Sequence, residues 1–211
     1  MAATSGTYTI DDPNAIVEGK TIAQWTQDWW TWALQSPAHQ NALDDTTGQY
    51  ANVGNGDHRS AQIPDHPGVF FIAGTTGGDA TRTFTVPQGE ALLVPMLNTF
   101  DTLVTESEAQ AYIKGWRPTV KDVFASIDGT PIAHPTRYLE APSDFFSMGS
   151  VRPNTFATEI GALKGQELTP TLVAGYYLMI EGLSPGQHTL EFGGSTNTGF
   201  STHVVDHITV V

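Results

Sequence analysis

The sequence predicts a mainly β fold: a single-domain antiparallel β-sandwich, jelly-roll or immunoglobulin-like, with one Trp-rich N-terminal helix and one short second helix. Two patterns carry the β prediction. Short apolar or alternating runs recur from Gly68 to the C-terminus, and turns rich in Gly and Pro separate them. Strands of that kind without intervening long helices favour packed antiparallel sheets over a parallel α/β sheet. The third observation is the stretch TIAQWTQDWWTWALQS, Thr21 to Ser36, which places four of the five tryptophans within eight residues.

That stretch reads as a helix. Thr21 is a natural N-cap whose hydroxyl can accept from a first-turn N–H, and Pro37 stops the run. Ile22, Trp25, Trp29 and Trp32 or Ala33 recur at the spacing of one helical face, with Ala23, Trp30 and Leu34 in a strip beside it. A fully buried indole removes roughly 200 Å² from water, an upper bound of about 5 kcal/mol each. So wide an apolar arc needs a cover, and the expected cover is a sheet. Trp30 lies off the main face, and it is expected to be left exposed, either at a subunit edge or as a stacking platform.

The chain is divided into an arm, 1–20, and one domain, 21–211, which includes the helix 21–36 and a long loop, 37–67. Thr7 to Ile10 suits a short edge strand, and Asp11-Asp12-Pro13-Asn14 a turn. The long loop holds Asp44, Asp45, Asn52, Asn55, Asp57 and His58, hard oxygen donors and one imidazole, without the spacing of a calcium loop. GVFFIAG predicts a buried strand and ATRTFTV a strand with one wet face; Gly77-Gly78 between them suggests a hairpin. Glu90 to Asn98 is a further strand, and its Pro95 points to an edge or a bulge.

Thr105-x-x-Glu108 has the form of a capping box, opening a short helix that ends near Gly115. Asp128-Gly129 between VKDVFASI and TPIAH is a strong hairpin signal. In the segment 136–170, RYLEA suits a strand, Phe145 and Phe146 plug the core, and the remainder reads as loops. Leu172–Glu181, Gln187–Phe192 and Thr202–Val211 are predicted strands. LSPGQHTLEF followed by a terminal strand resembles the closing hairpin of many immunoglobulin-like extracellular domains.

Composition excludes several functions. The formal net charge is −13 with nine Lys plus Arg, so nucleic acid and anionic membrane are not expected partners. Cysteine is absent, which removes disulfides, thiolate nucleophiles and thiolate metal sites. The opening residues lack the basic and apolar regions of an export signal, and no apolar run is long enough to span a bilayer. The shortage of Lys beside many Thr, Gly, Asn and Ser nevertheless fits an extracellular or particle-surface protein, such as one carried on a virion.

No phosphate-binding glycine loop, nucleophile elbow or His-Glu-x-x-His motif is present. His203 and His207 fall on one face of a terminal strand, roughly 13 Å apart, and Asp206 on the other, so they do not form a metal site. His188 alternates with Leu190 and Phe192 as a core or boundary histidine. No catalytic residue, metal or cofactor is expected.

The motifs WTQDWWTWAL, GVFFIAGTTGG, RTFTVPQGEALLVP and LSPGQHTL together resemble a group of small uncharacterised bacterial proteins, many of them exported. The resemblance implies an extracellular setting and supplies no catalytic residues. Three functions stay open. The leading one is a structural or interaction protein that self-associates or assembles with a protein partner. The second is a carbohydrate-binding module using Trp30 or Trp116, and the third a hydrolase or metal-assisted enzyme centred on loop residues such as Asp57 and His58.

Overall fold

The computed structural model describes residues 8–55, 68–141 and 144–211. The chain is mainly β, with two five-stranded sheets, one small hairpin and three helices among the described residues. The strands are β1 (Thr9–Ile10), β2 (Ile16–Val17), β3 (Lys20–Thr21), β4 (Val69–Phe71), β5 (Gly78–Val86) and β6 (Ala91–Thr102) in the first half. They continue as β7 (Val120–Ile127), β8 (Thr130–Pro131), β9 (Leu139–Glu140), β10 (Thr171–Glu181), β11 (Gly186–Thr196) and β12 (Ser201–Val210). The helices are α1 (Ile22–Gln35), α2 (Glu106–Trp116) and α3 (Phe156–Glu159).

Helix α1 forms where its caps and its apolar arc agree. Gln24 N donates to the Thr21 hydroxyl (3.2 Å) and Thr21 N to Gln24 Oε1 (3.0 Å), a reciprocal capping box. Its apolar face meets the first sheet, ordered β1-β10-β6-β4 with β9 also on β10. Trp25, Trp29, Trp32, Phe71, Val173 and Tyr177 belong to the core between them. A second core lies between the two sheets. There Phe70, Leu92 and Leu178 of the first sheet meet Phe84, Phe192 and Val204 of the second, whose order is β5-β12-β11-β7-β8.

Local signals hold up well in the structure. The Thr105–Glu108 capping box opens α2. Asp128 (φ 51°) and Gly129 (φ 76°) make the tight β7–β8 turn, both in the left-handed region that this turn demands. At Pro95 the β10–β6 register shifts, so the proline marks a bulge. On the other side β4 flanks β6 only as far as Leu93, so the missing N–H falls beyond that ladder, where β6 is locally at the sheet's edge.

Two expectations need correction. The run GVFFIAG and the run ATRTFTV do not form a hairpin. Strand β4 pairs parallel to β6 in the first sheet, whereas β5 pairs parallel to β12 in the second. The chain changes sheets at Ala73 and Gly74, and the Arg82 guanidinium takes both of their carbonyls, at 2.5 and 2.6 Å. Backbone acceptors that leave one ladder are thus satisfied by a side chain from the other.

The helix count also rises from two to three. Helix α3 is four residues long, too short to show periodicity, and its Phe156 N–H is anchored on Ser36 O beyond the end of α1 (3.0 Å).

Candidate functional site

The strongest concentration of unusual polar groups follows one edge of the first sheet. Strands β1 and β9 both pair with β10, at residues 180–181 and 175–176, and leave a seam between them. Within it Glu140 stands opposite Gly175 on the face beneath α1. A Cβ on Gly175 would lie 2.6 Å from the Tyr177 ring and 2.5 Å from the Asn98 Cβ, so only glycine lets the tyrosine ring lie across it. Asn98 Nδ2 then donates to the Tyr177 hydroxyl at 2.8 Å. Burial raises the tyrosine's ionisation well above its ordinary range.

Glu140 is 7% exposed and its Oε1 accepts no hydrogen bond among the described residues. Burial, reinforced by the charge of Asp12, raises its carboxyl to about 7. Further along the seam, Asp11 donates its backbone N–H to Met179 O (3.0 Å), and its buried Oδ2 has no hydrogen-bond donor. Burial raises Asp11 against a bond shared with Glu181, and burial, Asp11 and Glu18 together raise Glu181. Two carboxyls in hydrogen-bond contact must hold a proton between them.

Trp30 is the other anomaly of this region. Trp25, Trp29 and Trp32 each donate their indole N–H to a backbone carbonyl, of Val17, Ile72 and Val53, at 2.8 to 2.9 Å. Trp30 Nε1 is buried beside the Tyr177 hydroxyl but outside hydrogen-bond geometry. Its ring is not an open platform, because Phe100 covers it at 4.4 Å between centroids and leaves it 7% exposed. The expectation of an exposed Trp30 is therefore corrected. Trp116 is half-buried at the end of α2, tilted against Tyr176.

A second buried cluster is structural in its bonding. Arg82 is 2% exposed and donates to the carbonyls of Asp45 (2.7 Å), Ala73 and Gly74, tying the long loop to the sheet crossing. Asp206, cross-strand from it, is fully buried with neither oxygen hydrogen-bonded, and Arg82 Nη1 is 3.8 Å away. Burial raises Asp206 despite the pull of Arg82. Sequence reasoning passed over this pair. Its signal was parity, since Arg82 shares a face with Phe84 and Val86, and Asp206 with Val204 and Ile208.

The histidines and loop residues singled out from the sequence have separate partners. His188 Nδ1 lies 2.8 Å from Asp128 Oδ2, and Nε2 lies 2.8 Å from Ser184 O and 3.4 Å from Ser184 Oγ. This outlines Ser, His and Asp in a row, yet a ring nitrogen bonded to a carbonyl carries its hydrogen there. It cannot also accept the serine's proton. His203 contacts Glu191 (2.9 Å) and His207 contacts Thr189 (3.4 Å), while Asp206 points inward. No group of His, Cys, Asp or Glu among the described residues is spaced to hold a metal.

In the loop, burial opposes ionisation of Asp45, but N–H donors from Tyr50, Thr47 and Gly48 outweigh it and hold the carboxyl below its usual range. Asn55 Oδ1 accepts from Phe71 N (2.8 Å) and its Nδ2 reaches Phe71 O (3.2 Å), pairing with β4 as a strand would. Asp44 is raised by burial and by Glu159. Asp57 and His58 lie outside the described residues.

No family model matches the chain, and no curated protein matches it. Among solved structures it is similar to a chain described as PbICP-C in complex with falcipain-2. That likeness has 14% identity and a TM-score of 0.28, covers 64% of this chain and 91% of that one, and is too weak to carry an argument about fold or partner.

Proposed function

We propose that this chain is a structural or interaction protein of an extracellular or particle surface, an immunoglobulin-like β-sandwich that associates with a second copy of itself through the outer face of its second sheet. The single observation behind this reading is that face. The first sheet is covered on both sides, by α1 and by the second sheet, whereas Thr81, Thr83, Val205, His207, Thr189 and Ser126 share an outward side with no element of the described residues over it. The division of β4 and β5 between the edges of two sheets supports the immunoglobulin-like type over the jelly-roll.

Size and charge favour self-association. Four strands about 4.8 Å apart and about nine residues long give a plan area near 600 Å², close to the ~800 Å² per partner of a standard interface. Two chains of net charge −13 repel each other over most of their surface. On this face hydroxyls outnumber carboxylates, Asp79 and Asp122 lie toward one end, and Glu191 is held by His203. The expected result in light scattering after size exclusion is a dimer or larger at tens of micromolar, converted to monomer by Thr81→Glu with Val205→Glu. A wild-type protein that stays monomeric at that concentration would sink the proposal.

A further inference from the structure

The seam beside β10 gathers acidic groups without matching positive charge supplied from within. Four carboxyl groups, Asp11, Asp12, Glu140 and Glu181, lie along it with Glu18 nearby, and among the described residues the basic groups Arg137 and Lys20 are already engaged. Arg137 is paired with Asp12 (3.3 Å), and Lys20 with Asp28 (2.5 Å) while it also lies over Trp25. Two buried carboxyl oxygens, Glu140 Oε1 and Asp11 Oδ2, have no hydrogen-bond donor among the described residues, although the Asp11 carboxyl shares a bond with Glu181. Glu140 is more than nine-tenths buried, and the charge of Asp12 acts on it.

We propose that this seam binds an organic cation through its ammonium groups, with the Glu140 and Asp11 carboxylates as the primary acceptors. The unmet need is for N–H donors that also carry positive charge. Without a ligand these raised carboxyls are neutralised by protons, and an ammonium replaces those protons while donating N–H hydrogen bonds. A compact metal ion does not fit, because no three of these oxygens are spaced to converge on one. Glu140 stands opposite Gly175 and Asp11 beside Met179, so the two acceptors are about 13 Å apart along the strand. A ligand with more than one ammonium reaches both. Two sources share this chemistry, a free aliphatic polyamine and the lysine side chains of a protein partner.

The experiment is calorimetric titration of the whole protein at low salt with spermidine and, separately, with a trilysine peptide. Three variants each remove one carboxylate: Glu140→Gln and Asp11→Asn in the seam, and Glu106→Gln in the exposed first turn of α2. Saturable binding of either probe, weakened about tenfold or more by both seam variants and less than about twofold by Glu106→Gln, is the expected result. Spermidine binding alone assigns the free amine and peptide binding alone the partner's lysines, and both support the site. Equal weakening by all three variants would mean diffuse attraction to an acidic protein and overturns it. So does saturable binding of neither probe. Both seam variants relieve like-charge crowding, so thermal melts should show them at least as well folded as the parent.

Discussion

Strand alternation serves opposite ends in two regions of this molecule. Beneath α1, Val173, Tyr177 and Met179 of β10 face four indoles and are excluded from water. On the outer face of the second sheet, Thr81, Thr83 and Thr85 of β5 face solvent with the same period of two. The first region fixes the fold through close packing, and any polar group left unpaired there is costly. The second tolerates change, because its side chains face solvent. The contrast makes the seam informative: it lies in the covered region, yet it holds unpaired acceptors.

The largest expected effect lies on the covered side. Trp29 is fully buried, donates to Ile72 O and touches Trp30, Trp32 and Tyr177, so Trp29→Ala should lose about 4 kcal/mol in denaturant unfolding. A loss no greater than that of Thr83→Ala on the bare face would erase the distinction between the two regions.

The next effect is a pH dependence. Glu140 has an ordinary value of 4.5 and is raised to about 7 in the fold, so between those values the folded chain keeps a proton that the unfolded chain releases. Its contribution to stability is therefore complete below about pH 4.5 and is lost as pH rises to 7, by up to about 3 kcal/mol. Asp206, Asp11 and Glu181 are raised and act in the same sense. Asp45 is lowered and acts oppositely, removing stability in more acidic solution. Unfolding midpoints at pH 5 and pH 8 should favour pH 5, and Glu140→Gln should flatten the difference; equal midpoints in the parent would contradict it.

The smallest effect tests whether the bare face is uniformly tolerant. Gly193 lies on it, between Phe124 and His203, and a Cβ there would sit 2.1 Å from Thr202 O and 3.0 Å from the Phe124 ring. Gly193→Ala should cost about 2 kcal/mol because backbone must move. A neutral outcome, read by thermal unfolding, would show that β11 and β12 can separate there.

Much of the fold was legible in the sequence because its signals are local. Thr21 and Pro37 bound α1, Thr105 and Glu108 open α2, and Asp128-Gly129 turns β7 into β8. The strand partners were not legible in the same way. Gly77-Gly78 looks like a hairpin turn in one dimension, whereas Arg82, satisfying two carbonyls of the crossing, belongs with the alternative in three. The candidate site was barely legible. Trp30 stood out for its position on the helix, but its missing acceptor appears only once Tyr177 and Phe100 are beside it. Glu140, in a two-residue strand, offered no period to read.

The sequence by itself determined which segments extend, which coil, and which face of each is apolar, since dihedral preference, capping and alternation are properties of neighbouring residues. Only the tertiary structure decided that β4 and β5 part company, that Arg82 and Asp206 meet inside the core, and that the carboxyls of Asp11, Glu140 and Glu181 line one edge of β10. Burial and charge proximity set those outcomes. Both depend on distances between residues remote in the chain, and local pattern does not encode them.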